Sequence, residues 1–243
     1  MKTRLFICVC ILFSLLSCSS SEKEQLETAL AFADTNRAEL EKVLEYYKND
    51  SLKLKAAIYL IENMPLYYTY KGSDLDSLHI ALEQYAVSDS YDKHLEYLKR
   101  FPYRNLFKEY DAKVITSEYL IENIEYSFKV WRETPWGKYV SFDNFCEFIL
   151  PYRIKDEPLT HWKKDFYHRF KPVLDSLYQG TDVVEATSCL SNYATSLHWK
   201  YQNELTGPHL SAQLLLELQL GDCTSIADFG CYMLRSVWHS RWN

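Results

Sequence analysis

Glycine and proline are both scarce, six and seven in 243 residues. Few positions therefore invite the backbone to turn or break, which speaks against a turn-rich chain and against disorder. Strand-like alternation of apolar and polar residues is equally rare. No run of five basic residues occurs and the formal charge is −6, so there is no electrostatic footprint for nucleic acid. Nor is there a CxxC pair or a Cys/His cluster at zinc spacing. A structural metal site is thereby excluded, and no cofactor is implied.

What the chain does have is apolar and aromatic bulk. It is 47% hydrophobic, with twenty Tyr, twelve Phe and six Trp, enough for a packed, helix-rich core in one ordinary domain or two small ones. The N-terminus reads as a targeting segment. Lys2 and Arg4 precede an apolar stretch from Leu5 to Leu16 that is too short to span a bilayer. Leu15-Leu16-Ser17-Cys18, followed by a Ser/Glu-rich tether, resembles a bacterial lipobox. Residues 1–17 are then a lipoprotein signal peptide and Cys18 is the lipidated first residue. Its acyl chains anchor the protein to a membrane it does not cross, at about 0.8 kcal/mol per buried methylene. The expected location is the cell envelope, on the periplasmic face or the outer surface of the outer membrane.

Apolar residues recur at helical spacing through residues 18–133, which predicts a helical N-terminal region. Leu26, Leu30 and Ala33 mark a first helix, and Asn36 with Glu39 suggests a capping box for a second. Asp50-Ser51 opens a third that Pro65 closes, and further helices are predicted near 74–87, 91–99 and 117–131. Tyr59-Leu60-Ile61-Glu62-Asn63 recurs as Tyr119-Leu120-Ile121-Glu122-Asn123, a hint of two helices sharing a packing face. From Thr134 the texture changes. Ser141 and Asp143 start a helix, Leu159 to Leu174 line a long one ended by Gly180, Asp182 starts one running to about Glu204, and a short one covers Ser211–Leu218.

Of seven cysteines, four remain after the signal and Cys18: Cys146, Cys189, Cys223 and Cys231. Cys223 and Cys231 lie on one predicted helix, roughly 12 Å apart, too far for a disulfide. The disulfide state of Cys146, Cys189 and Cys231 is left open. Cys223 is the candidate nucleophile. Gly221 permits a sharp approach, Asp222 is a good N-cap, and the thiol falls in the first helical turn. There it faces unpaired backbone N–H groups and the positive end of the helix dipole, the setting in which cysteine nucleophiles are activated. Ile226, Phe229, Met233 and Val237, widened by Ala227, Gly230 and Leu234, form the apolar stripe of the same helix.

Gly221-Asp222-Cys223-Thr224, followed by Leu234-Arg235-Ser236-Val237, resembles the nucleophile segment of the transglutaminase-like superfamily. The stretch from Phe145 to Arg153, Glu157-Pro158-Leu159, and Ile61-Glu62-Asn63-Met64-Pro65 resemble segments of exported transglutaminase-like lipoproteins of Bacteroides-type bacteria. The resemblance implies a papain-like α+β fold in which later strands bring a His and an Asp to the Cys helix. Cys223 would attack an amide or peptide carbonyl, as a protease, amidase or acyl transferase would, on a protein, peptide or glycopeptide substrate.

Only twenty residues follow Cys223, too few for those strands. His239 lies along the same helix, His198 shares a predicted helix with Trp199, and His161 and His168 are seven apart on another. None of them, nor His209, is placed to serve as the base. Where the family continues Gly-Ile-Pro, Trp238-His239-Ser240-Arg241 stands instead, and a one-base shift of permissible codons restores Gly-Ile-Pro. Residues 134–243 are therefore read as the incomplete N-terminal part of a transglutaminase-like domain, inactive because His and Asp are missing. The fold class is mainly α as the chain stands. The alternative is a non-catalytic surface lipoprotein that binds a protein or glycan through exposed aromatics such as Tyr67, Tyr68, Tyr70, Trp131 and Trp136. Oligomeric state is not legible.

Overall fold

The computed structural model describes residues 23–87, 93–101 and 103–237. The signal segment, Cys18 and the residues from Trp238 onward lie outside these.

The fold is mainly α. Helix α1 (residues 23–32) buries Ala29 and Leu30 and is followed by buried Ala33. Helix α2 (Arg37–Tyr46) follows, but Asn36 and Glu39 do not form a capping box. Asn36 Nδ2 instead donates to the carbonyls of Ala112 and Ile115, and Glu39 accepts from the Ser117 amide and hydroxyl. Both residues thus pin α2 to the start of a helix some 80 residues away, a tertiary use that overrides the local motif. Helix α3 (Ser51–Asn63) is capped as predicted, with Lys53 N donating to Asp50 Oδ1 at 3.1 Å.

Two strands interrupt the helical pattern where none was predicted. β1 (Tyr68–Lys71) pairs antiparallel with β2 (Phe107–Tyr110), with Tyr68 opposite Tyr110. At four residues each they are too short to show a period, and only their Tyr and Thr content marks them. Between them, α4 (Asp74–Ala86) and α5 (Lys93–Lys99) build a small separate core of Leu78, Leu82, Tyr85, Leu95, Leu98 and Phe101.

Helix α6 (Ser117–Glu133) opens on Thr116, whose hydroxyl accepts from Tyr119 N. Ser141 likewise caps the short α7 (Phe142–Asn144), which widens into a π-turn over Phe145–Ile149. In the repeated pentapeptide, Leu60 and Leu120 are both buried, whereas Asn63 bonds its own helix and Asn123 donates to Leu150 O. The likeness is therefore one of core leucines, with different polar partners.

Helix α8 (Trp162–Leu177) and α9 (Val183–Ser196) form the second half of the main core. α9 stops eight residues before the predicted limit. Trp199 leaves the helix to pack on Phe229 at 5.1 Å between ring centroids, and Lys200–Tyr201 form strand β3. The final elements are α10 (Ala212–Leu218), strand β4 (Leu220–Gly221), parallel to β3, and α11 (Cys223–Val237). One continuous core joins α1–α3 to α6–α11 across the 133/134 junction.

Candidate thiol site at the start of α11

The backbone is fixed on both sides before it reaches Cys223. Gln219 ends α10 in the left-handed region (φ 47°, ψ 42°), the conformation that commonly terminates a helix. Lys200 N then donates to Gln219 O at 2.7 Å and Gln202 N to Gly221 O at 3.0 Å. A Cβ on Gly221 would lie 2.2 Å from Ser225 Cβ, so a side chain there would displace the first turn of α11. Asp222 is the cap expected: its Oδ1 accepts from Ser225 N at 2.8 Å and from Ser225 Oγ at 3.0 Å, and its carbonyl accepts from Ile226 N. Cys223 is the first residue of α11, and it is exposed.

The helix behind it is held by the core on a face that keeps Phe229, Met233 and Val237 of the predicted stripe but turns toward Tyr232 and Ser236 and away from Ile226 and Ala227. Phe229, Tyr232, Met233, Ser236 and Val237 are buried, at i, i+3, i+4, i+7 and i+8. Phe229 lies 5.9 Å from both Phe166 and Phe170, and Tyr232 4.8 Å from Trp162, all on α8. Ile226, expected in the buried stripe, is 37% exposed. With Gly230, Leu234, Leu197 and Trp199 it borders an open groove of about 790 Å³. The apolar stripe of α11 is thus mostly covered, by helices.

Polar contacts fix α11 at its other end. Arg235 Nε donates to Phe148 O at 3.1 Å and its Nη1 to Arg153 O at 3.0 Å. The turn it grips is itself locked from inside. Arg153 makes a two-pronged ion pair with Asp111, Nε to Oδ2 and Nη2 to Oδ1 at 2.6 Å each, with both side chains essentially inaccessible. Tyr152 Oη donates to Asp111 Oδ2, Arg153 Nη1 donates to Glu157 O, and Glu157 accepts from the amides of Ile154 and Lys155. Lys163, also buried, places Nζ within hydrogen-bond distance of Ser127 Oγ and the carbonyls of Ile149, Leu150 and Pro151, and burial pushes it well below the ordinary lysine value.

The remaining cysteines are free thiols in different settings. Burial pushes the Cys146 thiol up to about 12, and burial also raises that of Cys231. Cys189 is half-buried on α9. Among the described residues there is no Cys, His, Asp or Glu group able to hold a metal.

None of the histidines weighed from sequence reaches Cys223. His161 Nδ1 lies 2.7 Å from Glu122 and His168 Nε2 3.0 Å from Tyr126 Oη. His161 is the residue before α8 and not part of it as predicted, while His168 is on α8, and both bond to α6. His198 sits in the segment after α9 and not on a helix as predicted. His239 lies outside the described residues.

His209 does not reach Cys223 either, but it forms a pair that spacing did not reveal. Its Nδ1 is 2.6 Å from Asp228 Oδ2, and its backbone amide donates to Asp156 Oδ1 at 2.9 Å. Asp228 is five residues along α11 from Cys223, about 140° around the helix axis, so the pair stands on another face from the thiol. It faces a cavity of about 170 Å³ whose walls include Asp222 and Thr224, the neighbours of Cys223, though not Cys223 itself. The only sequence signal was an Asp on the apolar helix, nineteen residues from a His in a Gly-Pro loop.

Comparison with protein-family models, with curated proteins and with solved structures found no match.

Proposed function

We propose that the protein is an exported, lipid-anchored envelope protein of transglutaminase-like character in which Cys223 is the thiol nucleophile. Among the described residues it has neither a base nor an orienting carboxylate at the sulfur. The observation that carries the reading is the exposed Cys223 at the first position of a capped, core-anchored helix. Nucleophilic cysteines need a fixed approach and access, and both are present here. No helix of the described residues is long and apolar enough to cross a membrane, and attachment through Cys18 requires none.

The chemistry is attack on an amide or peptide carbonyl. Without a histidine at the thiol, one acyl transfer to sulfur is expected and turnover is not. The competing reading, a non-catalytic binder of protein or glycan, draws on that same lack of a base. The aromatics that would mark its surface do not favour it. Trp136 is 5% exposed, Trp131 stacks on Phe145 at 4.4 Å, and Lys108 covers the Tyr68 ring at 3.9 Å.

The test is alkylation of the full chain with iodoacetamide at pH 7, followed by peptide mass spectrometry. Cys223 is expected to be modified first and faster than a simple model thiol, with Cys146 and Cys231 far behind. The Asp222→Ala variant, losing about 1 kcal/mol of cap, is expected to bring the Cys223 rate down toward the model thiol. A Cys223 rate no greater than the model thiol in the unmodified sequence sinks the nucleophile reading.

A further inference from the structure

The cavity beside α11 has an unusual wall. Leu205, Thr206, Gly207, Pro208, His209 and Leu210, a stretch without helix or strand, form one side of it. Leu78 and Leu82 of α4 and Leu98 of α5 form the other, and Asp222, Thr224, Ser225 and Asp228 the floor. The stretch is a strap tied at both ends. At its start Thr206 is bound to α5: its amide and hydroxyl both donate to Leu98 O, and Phe101 N donates to its hydroxyl. At its end the tie is His209, through Asp228 and Asp156. The first tie is built of uncharged groups; the second combines a backbone amide held by Asp156 with an imidazole held by Asp228.

We propose that His209 is a proton-controlled latch that fastens the 205–210 strap over the cavity at the start of α11. The charged groups that act most strongly on the ring are three carboxylates, one of which, Glu157, also stands 4.0 Å from the Arg153 guanidinium. Asp228 comes from α11, and Asp156 and Glu157 come from the segment before α8. α4 and α5 present only leucines to the cavity, and Lys99, the nearest basic residue of α5 along the strap, pairs with Glu204 beyond it. An imidazolium is attracted by three carboxylates, whereas the neutral ring keeps only its hydrogen bond. The Asp228 bond raises the ring's proton affinity above that of an ordinary histidine, against the opposing effect of burial.

With the folded value raised, the latch contributes fully below the ordinary histidine value of about 6.5 and weakens as pH rises through the folded value. Closed, the strap covers the cavity side of Asp222 and Thr224; open, it exposes that side of the helix start. The latch does not depend on Cys223 being a nucleophile, so the two readings can fail separately.

The experiment is amide hydrogen exchange of residues 204–211 in the full chain at pH 6 and pH 9, corrected for intrinsic exchange, together with an NMR titration of His209. Strap protection is expected to fall with rising pH, by about tenfold for each unit by which the His209 value exceeds that of a free histidine. In His209→Asn, which keeps a donor near Nδ1 but carries no charge, protection is expected to be low and flat with pH. Asp156→Asn, away from the α11 core, is expected to lower the His209 titration point and provides a second check should the Asn variant fold poorly. Equal protection at pH 6 and 9, a His209 titration at or below the ordinary value, or a pH response that survives in His209→Asn would each overturn the latch.

Discussion

Replacing Arg153 with methionine is expected to lower the unfolding free energy by about 3–5 kcal/mol, the cost of leaving one member of a buried ion pair without its partner. Asp111 is fully buried, and its carboxylate has two prongs of Arg153 and the Tyr152 hydroxyl as partners. Removing the guanidinium strands that carboxylate and also frees the Glu157 carbonyl. Against a typical total of about 5–15 kcal/mol, the midpoint in urea should shift far down with little change in slope. The double variant Arg153→Met with Asp111→Leu should recover a large part of the loss, because burying neither charge costs less than burying one alone. A single variant within about 1 kcal/mol of the parent would mean the pair is not formed in solution.

Phe229→Ala should be nearly as damaging, by about 3–5 kcal/mol. Its ring is 1% exposed and sits among Phe166, Phe170 and Trp199, so truncation opens a cavity at the contact of α8 with α11. Ile226→Ala, one turn earlier and partly exposed, is expected to cost less than about 1 kcal/mol. Phe229 belongs both to the observed buried face and to the stripe that spacing suggests, whereas Ile226 belongs to the stripe alone, so the contrast separates the two. Equal losses at the two positions would favour that stripe instead. Chemical denaturation of both variants decides the point.

These two sites also show how far the sequence could be read. Helix starts were legible wherever a short polar side chain caps its own first turn: Asp50, Thr116, Ser141, Asp182, Ser211 and Asp222 all accept from an amide in the turn they open. Local hydrogen bonding of this kind leaves a local signature. Asn36 and Glu39 carry the same signature, but their partners lie some 80 residues away, which no local rule detects. The α9 end was misplaced for a related reason, since Trp199 is drawn off the helical path by a ring on α11. The stretch from Phe145 to Arg153 with Glu157 was recognisable only as family-like texture. Its chemical role, a buried charge network gripped by Arg235, depends on Asp111, which has no sequence relation to it. The position of Cys223 at the start of a capped helix was legible, because cap, glycine and thiol are consecutive. His209 and Asp228 were not, since their meeting is made by the fold.

Cys223 is proposed as a nucleophile with no base at its sulfur among the described residues. Intact-mass measurement of the full chain exposed to excess p-nitrophenyl acetate at pH 7 tests it most directly. One acetyl group per chain is expected, located on Cys223, absent in Cys223→Ala, and lost no faster than from a simple thioester. Sustained release of p-nitrophenol beyond one equivalent, or no acetyl on Cys223, would contradict it.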